Sequence, residues 1–383
     1  MKKRKILAIS VGRSDYDRYY PILNELNSKS NINLFLFISK THLDKKYGRT
    51  GLFIEKKFKI LKGKYTNLDF KKTIEDSLCQ DLSILIKKIK EINPDLIVIL
   101  GDRYEMLIGP IAAIPKNIPL IHFYGGAVTE GAIDELIRHA LTKMSHIHLV
   151  ATEEYKKRLI QLGEEKWRIK NIGVHELKIF KKESNQKVSE LIKRYNFDFS
   201  ENYCLLTFHP VTLELNKLKN QLNNLFSSVI KSNTKVVLTY PNADPNNDII
   251  LNFFKKKFKN KKNYLIIKNC GLKNYASIMK NASYVIGNSS SGIVEAASLK
   301  VPAINIGTRQ KGKIKPKNVI DSGYSIKEIT KAINTAMSNK FKKNLKYIKN
   351  PYDSKVSASK IADFISKIKI NDKLIRKKFI NIL

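Results

Sequence analysis

The stretch LIHFYGGAVTEGAIDELIRHALTKMSHIHLVA, residues 120–151, decides how the rest of the chain is read. Residues 120–123 form a short apolar run. A loop with Gly125 and Gly126 follows, then a helical pattern over 132–144 and a second apolar run over 147–151. Neither run alternates with polar residues, as expected of strands buried on both faces. Strand, helix and strand in that order make one unit of a parallel sheet.

The same alternation extends outward in both directions. Apolar runs at 6–11, 34–38 and 96–100 precede it, with a helical segment over 73–92. Near 175–200 the pattern breaks into the polar stretch KKESNQKVSELIKRYNFDFSEN, and it restarts at 203–208, 236–240, 265–267, 284–286 and 303–306. The economical solution is α/β: two Rossmann-like, doubly wound domains facing a cleft. The expected domains are residues 1–173, carrying the acids, and 174–354, binding the ligand. A last helix over about 355–370, in the segment 355–383, could return to the first domain. At roughly 100–200 residues per domain, 383 residues agree with two.

Charge is the most conspicuous compositional feature. Lys and Arg number 71 against 34 Asp and Glu, a formal charge of +37, which points to an anionic partner. Only eleven of the 71 are Arg, the residue suited to bidentate phosphate and base contacts. The Lys are scattered among Asn and Ile, as in KNKKNYLIIKN at 259–269, so most of the charge reads as a solvated coat on an ordinary globular enzyme. No helix-turn-helix, RNA-recognition or aromatic-interleaved basic motif is present, so nucleic acid is not the expected partner. A polyanion-binding protein is the alternative from a different class, and its mark is a steep salt dependence. Cys79, Cys204 and Cys270 lie far apart with no CxxC pattern, signalling neither disulfide scaffold nor zinc site. His146 and His148 share a strand face, but no third ligand stands at metal spacing, and no metal or cofactor is expected. MKKRK-ILAISV is too short in its apolar part for a signal peptide, and no run approaches the ~20 residues of a membrane span, so a cytoplasmic protein is expected.

Ligands of open parallel sheets bind at the carboxyl ends of strands, so the residues after each strand carry the functional reading. After 6–11 comes Gly12-Arg13-Ser14-Asp15-Tyr16-Asp17, where Asp15 or Ser14 suits a helix cap and Arg13 faces the ligand. Gly101-Asp102-Arg103 follows 96–100, an acid beside a cation. On the helix 132–144, Asp134 and Arg138 are i,i+4 neighbours, as are Glu135 and His139. In the second half, 203–208 leads into His209-Pro210, and 236–240 into the turn Pro241-Asn242-Ala243-Asp244-Pro245. The strongest single motif is Gly287-Asn288-Ser289-Ser290-Ser291-Gly292-Ile293-Val294-Glu295, where a strand runs through a Ser-rich loop into a helix. Backbone N–H groups and hydroxyls at such a helix start cradle an anion. Arg309, after 303–306, offers a further cation.

Together GRSDYD, THL (41–43), GDRYE, the stretch 125–164, HPVT, YPNAD, GNSSSGIVEA, PAINIGTRQ and NPYDSK (350–355) resemble the hydrolysing UDP-N-acetylglucosamine 2-epimerases. The likeness runs from Gly12 to about Ala362. That family supplies N-acetylmannosamine-type sugars to sialic and legionaminic acid pathways, and its fold is the two-domain glycosyltransferase-B type. The resemblance implies a UDP-sugar substrate and a homo-oligomer, dimer or tetramer. It implies Asp102 and Asp134 as catalytic carboxylates and places His209 close to the diphosphate; Glu135, beside Asp134, and His209, at a strand end where it suits acid/base work, complete the catalytic candidates from their own positions. It also implies Arg13, Arg103, Asn242, Asp244, Ser289, Ser290, Glu295 and Arg309 as nucleotide and sugar contacts. One departure stands out. Most members read HIEGGE where this chain reads HFYGGA, 122–127, so both glutamates are absent. Glu130, Glu135 or Tyr124 are the candidate replacements. A different nucleotide sugar, an inactive nucleotide-sugar-binding homologue and a glycosyltransferase of the same architecture remain the alternatives.

Overall fold

The computed structural model describes residues 3–43, 50–62, 74–130, 133–211, 214–240, 246–258 and 262–381. It divides into two compact units. Unit 1 comprises Met1–Ala127, Asp134–Glu176 and Ser354–Leu383; unit 2 comprises Val128–Ile133 and Leu177–Asp353.

Unit 1 is built on a seven-stranded sheet: β1 (Arg4–Ser10), β2 (Ile32–Ile38), β3 (Lys59–Leu61), β4 (Leu96–Leu100), β5 (Leu120–Phe123), β6 (Ile147–Val150) and β7 (Ile169–Asn171). The order is β3-β2-β1-β4-β5-β6-β7, with every pairing parallel. Unit 2 holds six more parallel strands: β8 (Tyr203–Thr207), β9 (Lys235–Thr239), β10 (Tyr264–Ile267), β11 (Tyr284–Gly287), β12 (Ala303–Ile306) and β13 (Val319–Ser322). Their order is β10-β9-β8-β11-β12-β13. The expected doubly wound α/β class is therefore observed twice. The central strands β4, β5, β8 and β11 are mostly apolar and every residue in them is buried.

In each sheet the strand order reverses once, between β1 and β4 and between β8 and β11. At such a switch point the adjoining crossovers run to opposite faces of the sheet, leaving a crevice at the carboxyl ends of the two central strands. The topology thus marks Val11–Asp15 and Gly101–Arg103 in unit 1, and Phe208–His209 and Asn288–Ser291 in unit 2.

Several expectations are corrected. The polar stretch near 175–200 is not a break but two helices, Glu176–Glu183 and Val188–Tyr195. Phe180, Leu191, Phe197 and Phe199 bury themselves in the core of unit 2, while the Lys and Glu between them face outward. The last long helix is Ala358–Ser366, shorter than 355–370. It packs on the helix Arg13–Asn27, and Arg4 donates to the Ser366 carbonyl at 2.6 Å. Val128–Ile133, within the expected 1–173, cluster with unit 2: the Glu130 N–H donates to the Lys311 carbonyl, and their side chains pair at 2.7 Å. No helix among the described residues is long and apolar enough to cross a membrane.

Candidate active site

At the unit 1 switch point, β4 ends in Gly101 and presents Asp102. Its carboxylate is held by Arg138 of the helix Asp134–Met144, 36 residues away. Arg138 is fully buried, and its guanidinium is spent on three acceptors. Nε donates to Asp102 Oδ2 at 3.1 Å, with Nη2 on the same oxygen. Nη1 donates to Glu135 Oε2 at 2.6 Å and to the Ala127 carbonyl at 3.0 Å. Glu135 Oε1 in turn meets His139 Nε2 at 2.8 Å, the i,i+4 contact expected from spacing. Arg138 therefore pairs with Glu135 (i,i+3) and with an acid from another element, where spacing alone favoured Asp134. Asp134, half-buried, opens the helix, where a carboxylate complements the helix dipole. Asp102 and Glu135 are each partly exposed.

Arg103 forks onto Glu105, Nη2 to Oε1 at 2.7 Å and Nε to Oε2 at 3.1 Å. Asp15 lies in the same charge field and is almost fully buried. It does not cap the helix Arg13–Asn27: the N-cap is Gly12, and Asp15 Oδ2 instead accepts from the Val11 N–H at 3.3 Å. Burial raises its pKa to about 7; Arg103 opposes the shift, while Glu105 and Asp102 add to it. Asp15 is thus a carboxyl that titrates near neutrality beside Asp102, a property its motif does not reveal. Arg13 begins the helix, and its side chain lies outside the described ones. His122 is buried with Nε2 on the Gly101 carbonyl at 2.7 Å; burial lowers its pKa to about 3, so it is neutral and fixes the β4 turn.

Of the replacements for the missing glutamates, Glu130 pairs with Lys311 and Glu135 with Arg138. Tyr124 follows β5 and directs its hydroxyl at Glu176 Oε2, 3.4 Å away. Glu176 carried no sequence signal, since it opens the stretch read as a polar break.

In unit 2 the organiser is Asn288, fully buried directly after β11. Its Oδ1 accepts from the His209 N–H at 2.7 Å, and its Nδ2 donates to the His209 carbonyl at 2.8 Å. Its own carbonyl accepts from Arg309 Nη1 at 3.2 Å and from Gln310 Nε2 at 2.9 Å. One asparagine thus ties together the ends of β8, β11 and β12, bringing His209, Ser289 and Arg309 to one place. Gly287 makes this approach possible: at φ +134° it needs glycine, and a Cβ there would stand 1.9 Å from the Thr207 carbonyl oxygen.

Ser290 is the N-cap of the helix Ser291–Ser298 and makes no side-chain cap bond. Ser289 Oγ accepts from Ser291 N–H at 3.4 Å and Ser291 Oγ at 3.1 Å, and Ser291 Oγ meets the Tyr275 hydroxyl at 2.7 Å. Of the three serines, Ser291 is buried into the scaffold, while Ser289 and Ser290 stay half-exposed at the helix start. Glu295 lies half-buried one turn along. Asn242 and Asp244 lie outside the described residues. Among those described, no group of three or more His, Cys, Asp or Glu is disposed to hold a metal ion.

Comparison with known proteins bears on this arrangement. A family model described as UDP-N-acetylglucosamine 2-epimerase matches residues 24–366. The chain is 37% identical over 353 residues to the hydrolysing GDP/UDP-N,N'-diacetylbacillosamine 2-epimerase of Campylobacter jejuni, covering 90% of each chain. It is 30% identical over 378 residues to the hydrolysing UDP-N,N'-diacetylbacillosamine 2-epimerase of Legionella pneumophila, covering 98% of each. Its fold resembles the crystal structure of the Neisseria meningitidis UDP-GlcNAc 2-epimerase bound to UDP-GlcNAc. The TM-score is 0.80 at 17% identity, covering 95% of this chain and 100% of that one. The chain belongs to the UDP-N-acetylglucosamine 2-epimerase family and is a nucleotide-sugar 2-epimerase.

Proposed function

We infer that this 2-epimerase is of the hydrolysing kind and works through a glycal. The substrate is UDP-GlcNAc or a related UDP- or GDP-linked 2-acetamido sugar; the products are the free 2-epimer, of the N-acetylmannosamine type, and nucleoside diphosphate. The observation that carries the reading is the pair of carboxylates, Asp102 and Glu135, held on one buried guanidinium at the unit 1 switch point. The names of the Campylobacter and Legionella relatives support hydrolysis and a diacetamido sugar.

The chemistry needs a base, an acid and cations at the leaving group. As the C2 proton is removed, the C–H electron pair forms the C1–C2 double bond and expels the diphosphate from C1. Water then adds at C1 while a proton is delivered to C2 on the other face. Asp102, Asp134 and Glu135 are the unit 1 acids that serve the proton transfers, among them delivery of the new proton to C2. From unit 2, His209 and the start of the helix Ser291–Ser298 receive the diphosphate. Arg13, Arg103, Asn242, Asp244, Ser289, Ser290, Glu295 and Arg309 contact nucleotide and sugar. Free acetamido-mannose-type product suits nonulosonic acid synthesis in the cytoplasm, and a homo-oligomer, dimer or tetramer, completes the proposal.

A panel of UDP- and GDP-linked acetamido and diacetamido sugars, followed by NMR in D2O, tests it. The expected result is nucleotide release with deuterium at C2 of the free epimer. Neither release nor exchange with any sugar would overturn it; release that requires an added acceptor would instead indicate a glycosyltransferase.

A further inference from the structure

We propose that Tyr124 and Glu176, clamped by Arg18, form a proton relay for the C2 step of the epimerase reaction inferred above, on which this proposal rests. Tyr124 stands where a relay is useful. The Gly101 N–H, directly before Asp102, donates to the Phe123 carbonyl at 2.9 Å, so Tyr124 begins one residue beyond the bond that joins the ends of β4 and β5. Its backbone is held at φ +65°; the other described non-glycine residues at positive φ are asparagines and one lysine. For a bulky aromatic side chain that conformation costs on the order of 1–3 kcal/mol, and such strain persists where the surroundings impose it.

Its hydroxyl ends in a polar cluster. The Tyr124 hydroxyl donates to Glu176 Oε2 at 3.4 Å, and the His175 backbone N–H bonds the same hydroxyl. Arg18 Nε stands 3.4 Å from the other Glu176 oxygen. Both Tyr124 and Glu176 are buried, while Arg18 is partly exposed and closes the cluster toward solvent. A second observation lies beside them. Tyr19 is fully buried on Phe123, ring centroids 5.7 Å apart, and its hydroxyl has no hydrogen-bond partner among the described residues. An unmade bond on a buried hydroxyl is costly, so this corner has donor capacity beyond the described acceptors. Asp15 and Tyr124 are the groups that bear electrostatically on that hydroxyl.

The step balances without a phenolate, which burial and the Glu176 charge make costly. The C2 proton passes to Tyr124 Oη as the phenol's own proton passes to the Glu176 carboxylate. The C2–H electron pair forms the glycal double bond and the diphosphate leaves. Glu176 ends as the carboxylic acid and returns its proton to water before the next turnover. Arg18 orients the carboxylate and is a positioning residue.

The test uses the full chain and whichever panel sugar it turns over. Tyr124→Phe removes one oxygen and Glu176→Gln keeps the carboxyl's shape; if the second fails to fold, as judged by its melting curve, the first alone decides. Each is expected to lower kcat and C2 deuterium incorporation by about 100-fold or more, the usual worth of a positioned acid or base. KM and UDP affinity by calorimetry should stay within about 2-fold, and the double variant should be no worse than the weaker single, since a relay fails as a unit. Wild-type-like kcat in Tyr124→Phe, losses that multiply in the double variant, or raised KM with kcat retained would overturn the relay while leaving the epimerase reading in place. A wild-type chain inactive on every sugar would overturn both.

Discussion

Arg138 joins two acids that the chain keeps 33 residues apart: Nε reaches Asp102 Oδ2 at 3.1 Å and Nη1 reaches Glu135 Oε2 at 2.6 Å. The guanidinium has no solvent exposure, whereas both carboxylates have some. Its fixed fork sets the spacing of the acids. Arg138→Lys keeps the charge but cannot serve three acceptors at once. Stability is expected to fall by about 3 kcal/mol, the lower end for breaking a buried ionic network, because the acids are partly solvated. Urea unfolding should show that loss, and turnover should fall with it.

Asn288→Ala removes both bonds to the His209 backbone, leaving a buried N–H and carbonyl unpaired. At roughly 1–3 kcal/mol for each unmade bond, the ends of β8 and β11 should loosen. The expected outcome is a UDP affinity at least ~10-fold weaker by calorimetry, following from a loss of about 1.4 kcal/mol or more. Unchanged affinity would remove Asn288 from the anion-binding arrangement.

Asp15 predicts how stability follows pH. Its folded pKa, about 7, exceeds the unfolded value of 3.8, so between those values the folded chain holds a proton that the unfolded chain has lost. Its contribution therefore weakens as pH rises from about 4 to about 7 and is constant above, the slope following the difference in bound protons. Asp15→Asn should remove this penalty, a few kcal/mol at about 1.4 kcal/mol for each tenfold change in proton affinity. Melting curves of both chains at pH 5 and pH 8 check it: the variant should gain on the wild type at pH 8.

Gly287→Ala sets a methyl 1.9 Å from the backbone oxygen of Thr207, in a backbone conformation that only glycine adopts readily. Neither atom belongs to a flexible side chain, so β8 and β11 must separate. The expected result is insoluble or aggregated protein, with no cooperative melting of unit 2. A soluble, UDP-binding variant would contradict the close approach.

The central strands were legible because burial on both faces leaves an unbroken apolar signature, as in 96–100 and 203–207. The edge strands β3, β7 and β13 were not, being three or four residues long, with charged or amide side chains and a single neighbour. Spacing named Asp134 for Arg138, yet Asp102 arrives from another strand, and periodicity carries no such tertiary information. Asn288 stood in the GNSSSG motif, but its role is a clasp on a backbone 79 residues away, visible only when β8 and β11 lie side by side. Asp15 looked like a cap because Asp suits helix starts. Only its burial beside other acids makes it titrate near neutrality.

The return of the last segment to unit 1 bears on the order of synthesis. Arg168, buried in unit 1, bonds the carbonyls of Lys373, Leu374 and Arg376 at 2.8–3.2 Å. Those acceptors leave the ribosome only after all of unit 2 has been made. Although its strands come first, unit 1 waits with Arg168 short of three partners, while unit 2 already has every strand of its sheet. The part that is started first is finished last, and a nascent chain stalled before residue 373 should expose Arg168 to chaperones or proteases that the completed chain escapes.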